Sequence, residues 1–101
     1  MVQVIWTESA STDLKQVHDF IARDSARYAR ATVEKITAAA KRLGRFPQLG
    51  AIVPELSGLV YRQIIVGNYR VIYRVSKDTI EVFIVGVIHA SRSLPLVPQS
   101  E

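Results

Sequence analysis

Hydrophobic and polar residues alternate in the opening segment MVQVIW, which is rich in β-branched and aromatic side chains. This period of two predicts a β-strand over Val2–Trp6. Thr7 then has the side chain of a helix N-cap, since its hydroxyl oxygen can accept a bond from a backbone N–H of the first turn. The apolar positions that follow step by four, three and four, at Ala10, Leu14, Val17 and Ile21. Such spacing is typical of an amphipathic helix.

A second helical stripe gives the clearest pattern in the chain. Its apolar positions step by four, three, four and three, at Ala29, Val33, Ile36, Ala40 and Leu43. Asp24 and Ser25 interrupt the two stripes and offer an N-cap, while Gly44 and Pro47 end the second helix. Because the stripe contains small residues that permit close approach, the two helices are predicted to form an antiparallel hairpin with a very short turn.

The second half of the chain predicts one long loop and three strands. The segment FPQLGAIVPELSGL is rich in proline and glycine and is predicted to be the only long loop. Two apolar runs, Tyr61–Val66 and Tyr69–Val75, flank Gly67-Asn68, a pair suited to the positive φ angles of a tight hairpin. A third run, Thr79–Ile88, predicts another strand, and the tail SLPLVPQSE is predicted to be irregular.

Together these elements predict an α+β fold: an N-terminal strand, an antiparallel helical hairpin and a three-stranded antiparallel meander. The helices would cover one face of the sheet in a two-layer arrangement. At 101 residues the chain has the length of one domain, so residues 1–101 are predicted to form a single unit with an irregular tail from about residue 93.

Composition excludes several classes of protein. Cysteine is absent, so disulfides and thiolate metal sites are excluded. The two histidines lie far apart in the sequence and no glycine-rich phosphate loop is present, so neither a metal nor another cofactor is predicted. No apolar run has the length of a membrane helix, and the N-terminus lacks the pattern of a signal peptide. We therefore expect a cytoplasmic protein with no membrane partner.

The net charge of +4 and the sequence pI of about 9.8 favour polyanionic or acidic partners, and the alternative is a solvated surface that carries more Arg than Glu. Alternation along Tyr69–Val75 places Arg70 on the face opposite a uniformly apolar set. We expect Arg62 and Arg70 to share the uncovered face and to converge with the strand-end His89 on a shallow basic concavity. The alternatives are ion pairs of the two arginines with Glu55 and Glu81, and a purely structural histidine.

In its order of elements the sequence resembles the RelE/ParE superfamily of type II toxin–antitoxin toxins, most closely its ParE-like members. The resemblance rests on VIWTESASTDLKQVHDFIARDS, RLGRFPQLG, VPE, YRQIIVGNYRVIYRV and VGVIHASR, and it covers roughly Val2 to Leu94. It implies the strand, helical hairpin and meander fold. It also implies a toxin that arrests bacterial growth until a cognate antitoxin binds it.

The resemblance leaves the target open, because ParE-like members inhibit DNA gyrase while RelE-like members cut mRNA at the ribosome. In a RelE-like nuclease, Glu55 would be the base, Arg62 and Arg70 the phosphate clamps, and His89 the acid, assisted by Arg92. Such an enzyme would need no metal. Arg74, beside the SKDT turn, is expected to be a solvated cation without a role in the site.

Two departures from the nuclease pattern favour the ParE-like alternative. Ala90 follows His89, where nuclease members often carry a tyrosine or another polar residue, and only one lysine follows position 41. A third alternative is an inactive toxin homologue that binds an antitoxin and reaches operator DNA only through it. Whether the chain is an enzyme therefore depends on which alternative holds.

Overall fold

The structure is a computed structural model that describes residues 2–56, 60–78 and 80–92. The two helices are α1 (Glu8–Ala22) and α2 (Ala26–Arg42). The strands are β1 (Val4–Trp6), β2 (Ala51–Ile52), β3 (Tyr61–Val66), β4 (Tyr69–Val75) and β5 (Val82–His89). One turn of 3₁₀ helix, Pro54–Leu56, lies between β2 and β3. The tail from residue 93, predicted to be irregular, lies outside the described residues.

Both predicted helix caps are confirmed. The Thr7 hydroxyl oxygen accepts the backbone N–H of Ala10 at 3.2 Å, and the Ser25 hydroxyl accepts that of Tyr28 at 3.0 Å. Each cap satisfies one of the N–H groups that a helix start leaves unpaired. Only residues 23–25 separate the helices, so the predicted hairpin with its short turn is also confirmed.

The five strands form one mixed sheet in the order β1-β5-β4-β3-β2. β1 runs parallel to β5, whereas the other neighbouring pairs are antiparallel, so the predicted meander is confirmed. β3 and β4 have the predicted bounds. The first and last strands differ from the prediction at their ends, since β1 begins at Val4 and β5 spans Val82–His89.

The prediction of one long loop after α2 was wrong for two short segments, which form a strand and a turn of 3₁₀ helix. β2 pairs with β3, with Ala51 opposite Gln63 and Ile52 opposite Arg62, and the Pro54–Leu56 turn follows. A strand of two residues has no hydrophobic period, so its pairing arises from contact with β3 and not from local sequence. β2 also makes the sheet one strand wider on this side than the sequence predicted.

The core lies between the helical hairpin and one face of the sheet. Buried aliphatic and aromatic residues from both layers form one cluster: Ala10, Ile36, Ala40, Leu43, Val71, Tyr73, Val82, Ile84 and Val87. The predicted apolar face of β4 is therefore confirmed as the face against the helices. No helix within the described residues is long and apolar enough to span a membrane.

Candidate functional site

Arg70 projects from β4 on the face away from the helices, yet it is only 6% exposed. Its Nη1 and Nη2 atoms donate to the Glu55 carboxylate oxygens Oε2 and Oε1, both at 2.9 Å. Nε donates to Gln63 Oε1 at 2.6 Å, and Nη1 also donates to the backbone oxygen of Arg92 at 2.8 Å. The guanidinium thus joins three parts of the chain on the outer face of the sheet.

These contacts commit most of the donors of Arg70. A guanidinium has five N–H donors in a planar fork, and a carboxylate matches two of them in parallel. Here four donors are used by Glu55, Gln63 and Arg92. The alternative in which Arg70 and Glu55 form an ion pair is confirmed. A phosphate group could reach this guanidinium only by displacing the carboxylate.

Arg62 lies on the opposite face of the sheet. It stands directly across from Tyr73 in the β3–β4 register, and residues directly opposite share a face. Its Nη1 donates to the backbone oxygen of Gly50 at 2.7 Å. The Tyr73 hydroxyl in turn accepts the Gly50 N–H and donates to the backbone oxygen of Pro47, both at 2.8 Å. Burial raises the pKa of this phenol above its usual 10.0.

The predicted basic concavity on the uncovered face was therefore wrong. Arg70 stands across from Ile65, and Arg62 across from Tyr73. Because Arg70 and Tyr73 are three residues apart in one continuous strand, alternation sends them to opposite faces. The two-residue turn at Gly67-Asn68 pairs Val66 with Tyr69 and thereby fixes this register, so the predicted hairpin already separates the two arginines, which the expectation overlooked.

His89 also lies away from Arg70. It stands across from Tyr69 at the end of β5, with ring centroids 5.4 Å apart in an edge-to-face contact. The backbone N–H of Ser91 donates to His89 Nδ1 at 3.1 Å, and the Ser91 hydroxyl is 2.7 Å from the same atom. Nδ1 is thus an acceptor, so the proton of the neutral ring sits on Nε2. Glu55 contacts the outer face through Arg70, whereas His89 contacts the face that bears Tyr69.

The two remaining arginines of the strand region have separate surroundings. Arg92 is exposed and contributes its backbone oxygen to Arg70. The guanidinium of Arg74 lies 4.4 Å from the ring centroid of Phe83, its neighbour across β4 and β5. Arg74 was expected to be a solvated cation, but it is half-buried in a cation–π contact.

The sequence analysis did not identify Gln63, Gly50 and Tyr73, whose hydrogen bonds hold the two arginines and the loop after α2 in place. Gln63 is the only amide of the strand YRQIIV, and that polar position was the available signal. Gly50 and Tyr73 gave no comparable signal because they meet only when the loop after α2 folds back on the sheet. Among residues 2–56, 60–78 and 80–92, no three metal-ligating side chains lie close enough to hold an ion.

Comparison with known proteins identifies the family of this chain. A family model described as the ParE toxin of the type II toxin–antitoxin system parDE matches residues 4–94. The chain belongs to the ParE toxin family. No curated protein matches it closely enough in sequence to count as a relative.

Solved structures of toxin–antitoxin systems resemble this ParE-family chain. The chromosomal ParDE system of P. aeruginosa matches with 21% identity and a TM-score of 0.74 over 90% of this chain and 98% of that one. The RelBE2 complex of Mycobacterium tuberculosis matches with 26% identity and a TM-score of 0.61, over 87% and 96%. The intact E. coli RelBE complex matches with 18% identity and a TM-score of 0.64, over 91% and 100%. The likeness to the first and third is one of fold.

Proposed function

We propose that this ParE toxin acts in the bacterial cytoplasm, arrests growth by inhibiting DNA gyrase through protein–protein contact, and is neutralised by a cognate antitoxin. The observation that carries the proposal is the separation of the candidate catalytic side chains. Glu55 and Arg70 are joined on the outer face, whereas Arg62 and His89 lie on the other. Membership of the ParE family supports the same conclusion.

Cleavage of RNA through its 2′-hydroxyl needs a base, an acid and cations around one phosphate. In this chain the base candidate Glu55 already accepts two bonds from the clamp candidate Arg70. His89, the acid candidate, stands across from Tyr69 on the opposite face. Since a single phosphate cannot contact both faces of a sheet at once, the arrangement favours a toxin that acts by binding.

An antitoxin partner is supported by charge and by an apolar groove. The chain carries a net charge of +4, which favours an acidic partner. A groove of about 390 Å³ runs between the helices and β1, lined by Trp6, Ser11, Leu14, Lys15, His18, Val33 and Thr37. The RelBE and ParDE structures that resemble this chain are toxin–antitoxin systems by their descriptions.

The test is a pair of assays on the same protein. Purified toxin is added to DNA gyrase and relaxed plasmid, and loss of supercoiling is measured with and without purified antitoxin. In parallel, transcript 5′ ends are mapped in bacteria after a brief pulse of toxin. We expect inhibition of gyrase that the antitoxin reverses, together with intact transcripts and a DNA-damage response.

Other outcomes identify the alternatives. New translation-dependent cuts inside coding regions, with gyrase unaffected, would make the chain an mRNA nuclease that acts at the ribosome. Continued growth in the presence of folded protein, with antitoxin and operator DNA still bound, would make it an inactive homologue that serves only in repression. Either result would contradict the proposed gyrase inhibition.

A further inference from the structure

Four side chains form a continuous row across the outer face of the sheet, the face away from the helices. The register places Ile5 of β1 beside Phe83 of β5. It also places Arg74 of β4 between Phe83 and Tyr61, its partners in β5 and β3. Residues directly opposite in neighbouring strands share a face. Ile5, Phe83, Arg74 and Tyr61 are called the outer row below, and at about 4.8 Å per strand the row spans about 14 Å.

The guanidinium of Arg74 is held in place by a ring, yet no hydrogen-bond acceptor of the described residues reaches it. It lies 4.4 Å from the ring centroid of Phe83, and the side chain is half-buried. Arg70, on the same face, already uses four of its donors. A guanidinium that stacks on a ring keeps its N–H donors in the plane, free to meet a carboxylate or phosphate. Arg74 is thus an oriented cation with an unfilled set of donors.

The rest of the outer row is apolar or aromatic. Ile5, Tyr61 and Phe83 are all half-buried, so each keeps part of its side chain at the surface. Tyrosine, phenylalanine and arginine are enriched at the centres of protein–protein interfaces, where other charged residues are depleted. One arginine between two aromatic rings therefore has the composition of an interface centre.

We propose that the outer row is the surface through which the toxin contacts DNA gyrase, with a carboxylate of gyrase bound by Arg74. This inference rests on the proposed function, which leaves the contact surface unassigned. The carboxylate would accept two parallel N–H bonds from the guanidinium. Apolar side chains of gyrase around it would cover Ile5 and Tyr61, and the exclusion of water would strengthen the charged pair.

A single open cation favours a protein partner over nucleic acid. Nucleic-acid surfaces neutralise several phosphates with several cations. The other strand arginine of this face, Arg70, is already paired with Glu55. A second copy of the chain is disfavoured as well, since two facing outer rows would bring together two Arg74 side chains and two chains of net charge +4. A carboxylate on an apolar protein surface complements both the charge and the apolar character of the row.

The outer row and the groove proposed for the antitoxin lie on opposite faces of the sheet. They approach each other at β1, where alternation sends Ile5 to the outer face and Trp6 into the groove. β1 is the edge strand on this side of the sheet. An antitoxin in the groove would therefore stand beside the row and obstruct a second large protein. Neutralisation then requires no residue that both partners contact.

Arg74→Glu tests the inference with purified components. The variant is assayed for inhibition of gyrase supercoiling and, separately, for affinity toward purified antitoxin. We expect the toxin concentration for half inhibition to rise about tenfold or more, the scale of a lost interface anchor, and antitoxin affinity to change about twofold or less. Retained antitoxin affinity also shows that the variant is folded. Unchanged inhibition of gyrase by this variant would refute the inference.

Arg23→Glu is the matched control. The guanidinium of Arg23 lies 5.5 Å from the ring centroid of Phe20 at the end of α1, so the variant makes the same charge change and loses a similar contact away from the row. We expect Arg23→Glu to inhibit gyrase as the unmodified toxin does. Equal weakening by both variants would mean that only net charge matters, and would overturn the inference.

Photocrosslinking gives a second measurement that does not depend on loss of binding. Tyr61→p-benzoylphenylalanine places a photoreactive ring beside Arg74. Irradiation in the presence of gyrase should give a covalent toxin–gyrase adduct that the antitoxin suppresses. The same substitution at Tyr28, which is exposed on α2, is the control. Adducts from position 28 but none from position 61 would place the contact on the helices and contradict the outer row.

The remaining outcomes separate this inference from the proposed function. If the unmodified toxin does not inhibit gyrase, the proposed function fails and the inference fails with it. Equal inhibition by the unmodified toxin and Arg74→Glu overturns this inference alone. A loss of antitoxin affinity in Arg74→Glu well beyond that in Arg23→Glu would make the row an antitoxin surface. Binding of the toxin to DNA alone that depends on Arg74 would make it a nucleic-acid surface, and either result contradicts the inference.

Discussion

The guanidinium of Arg70 and the carboxylate of Glu55 form a doubly hydrogen-bonded ion pair on the outer face of the sheet, with both bonds 2.9 Å long. The pair fastens the 3₁₀ turn that contains Glu55 to the start of β4. In a nuclease Arg70 would bind the substrate phosphate, whereas here its guanidinium stabilises the fold by binding Glu55. A loss of activity after substitution of Arg70 would therefore have to be separated from a loss of stability.

Arg70→Ala should destabilise the toxin substantially. Arg70 projects from the face away from the helices, yet it is buried there, and its removal leaves Glu55 and Gln63 without a shared partner. We expect a loss of about 3 kcal/mol in the free energy of unfolding, measured by urea denaturation, as for other broken buried pairs.

Arg74→Ala is the matched control for that experiment, since it makes the same change on the same face of the same strand. Arg74 stacks on Phe83, and such a contact at a partly exposed site is worth about 0.5–1 kcal/mol. A loss for Arg70→Ala no larger than that for Arg74→Ala would mean that the Glu55 pair contributes little.

Ionisation of the buried Tyr73 phenol should lower the free energy of unfolding at high pH. Burial raises the pKa of its phenol above 10.0, whereas the unfolded chain titrates near that ordinary value. Between the two pKa values the folded state holds more protons than the unfolded state, so the free energy of unfolding decreases as pH rises. Stability from this group is complete below pH 10.0 and declines above it. Thermal denaturation from neutral pH to above pH 10.0 would measure the decline.

Tyr73→Phe is the control for the alkaline effect. The variant should be less stable at neutral pH by about 1–2 kcal/mol, because the Gly50 N–H and the Pro47 oxygen lose their partner. Its stability should fall less steeply in the alkaline range. An identical slope in both proteins would assign the pH dependence to other groups.

Gly50→Ala should disrupt the loop that follows α2. A Cβ atom at this position would lie 2.5 Å from the backbone oxygen of Gln63 and 2.8 Å from the Tyr73 ring and hydroxyl. Backbone and buried ring cannot move away easily, so we expect a loss of about 2–3 kcal/mol in urea denaturation, the range for overpacked sites.

Gly67→Ala makes the same change for a different physical reason and serves as the comparison. Gly67 has open space around the position of a Cβ but a φ angle of +58°. The cost there is conformational, about 1 kcal/mol, as for alanine in the left-handed region. A smaller loss at Gly50 than at Gly67 would contradict the crowding that the structure shows.

Ile80→Asn should stabilise the toxin. Ile80 has a φ of 54°, the left-handed region that a β-branched side chain rarely adopts, and its side chain is exposed. Asparagine tolerates this conformation, so we expect a gain of about 1 kcal/mol by urea denaturation. Val60→Asn exchanges another exposed aliphatic residue, one without positive φ, and should bring no such gain. A loss of stability for Ile80→Asn would refute relief of backbone strain.

His89→Ala should leave growth arrest intact under the gyrase proposal. The ring contacts Tyr69 and Ser91 near the end of β5 and shares no contact with Glu55 or Arg70 among the described residues. The measurement is growth after a pulse of the variant, with its abundance matched to that of the unmodified toxin. Loss of arrest by a folded variant would revive the nuclease alternative.

Local periodicity determined most of the secondary structure. The steps of three and four from Ala10 to Leu43 are set by the helical repeat, and Thr7 and Ser25 cap the helices through atoms a few residues away. Gly67-Asn68 closes the hairpin within two residues, so β3 and β4 have the predicted bounds. Each feature depends on neighbours in the chain, which the sequence displays directly.

Contacts between distant segments were decided only by the tertiary structure. The β3–β4 register is not among them, because the two-residue turn at Gly67-Asn68 sets Arg62 opposite Tyr73 and so puts Arg62 and Arg70 on different faces. β2 exists because Ala51 and Ile52 meet β3 after a long connection. The sequence by itself thus determined the two helices, the four longer strands and the class of the fold, whose patterns are local. Only the packed sheet decided that Arg70 is bound to Glu55 and that Ala51 and Ile52 pair with β3, because both depend on which segments lie side by side.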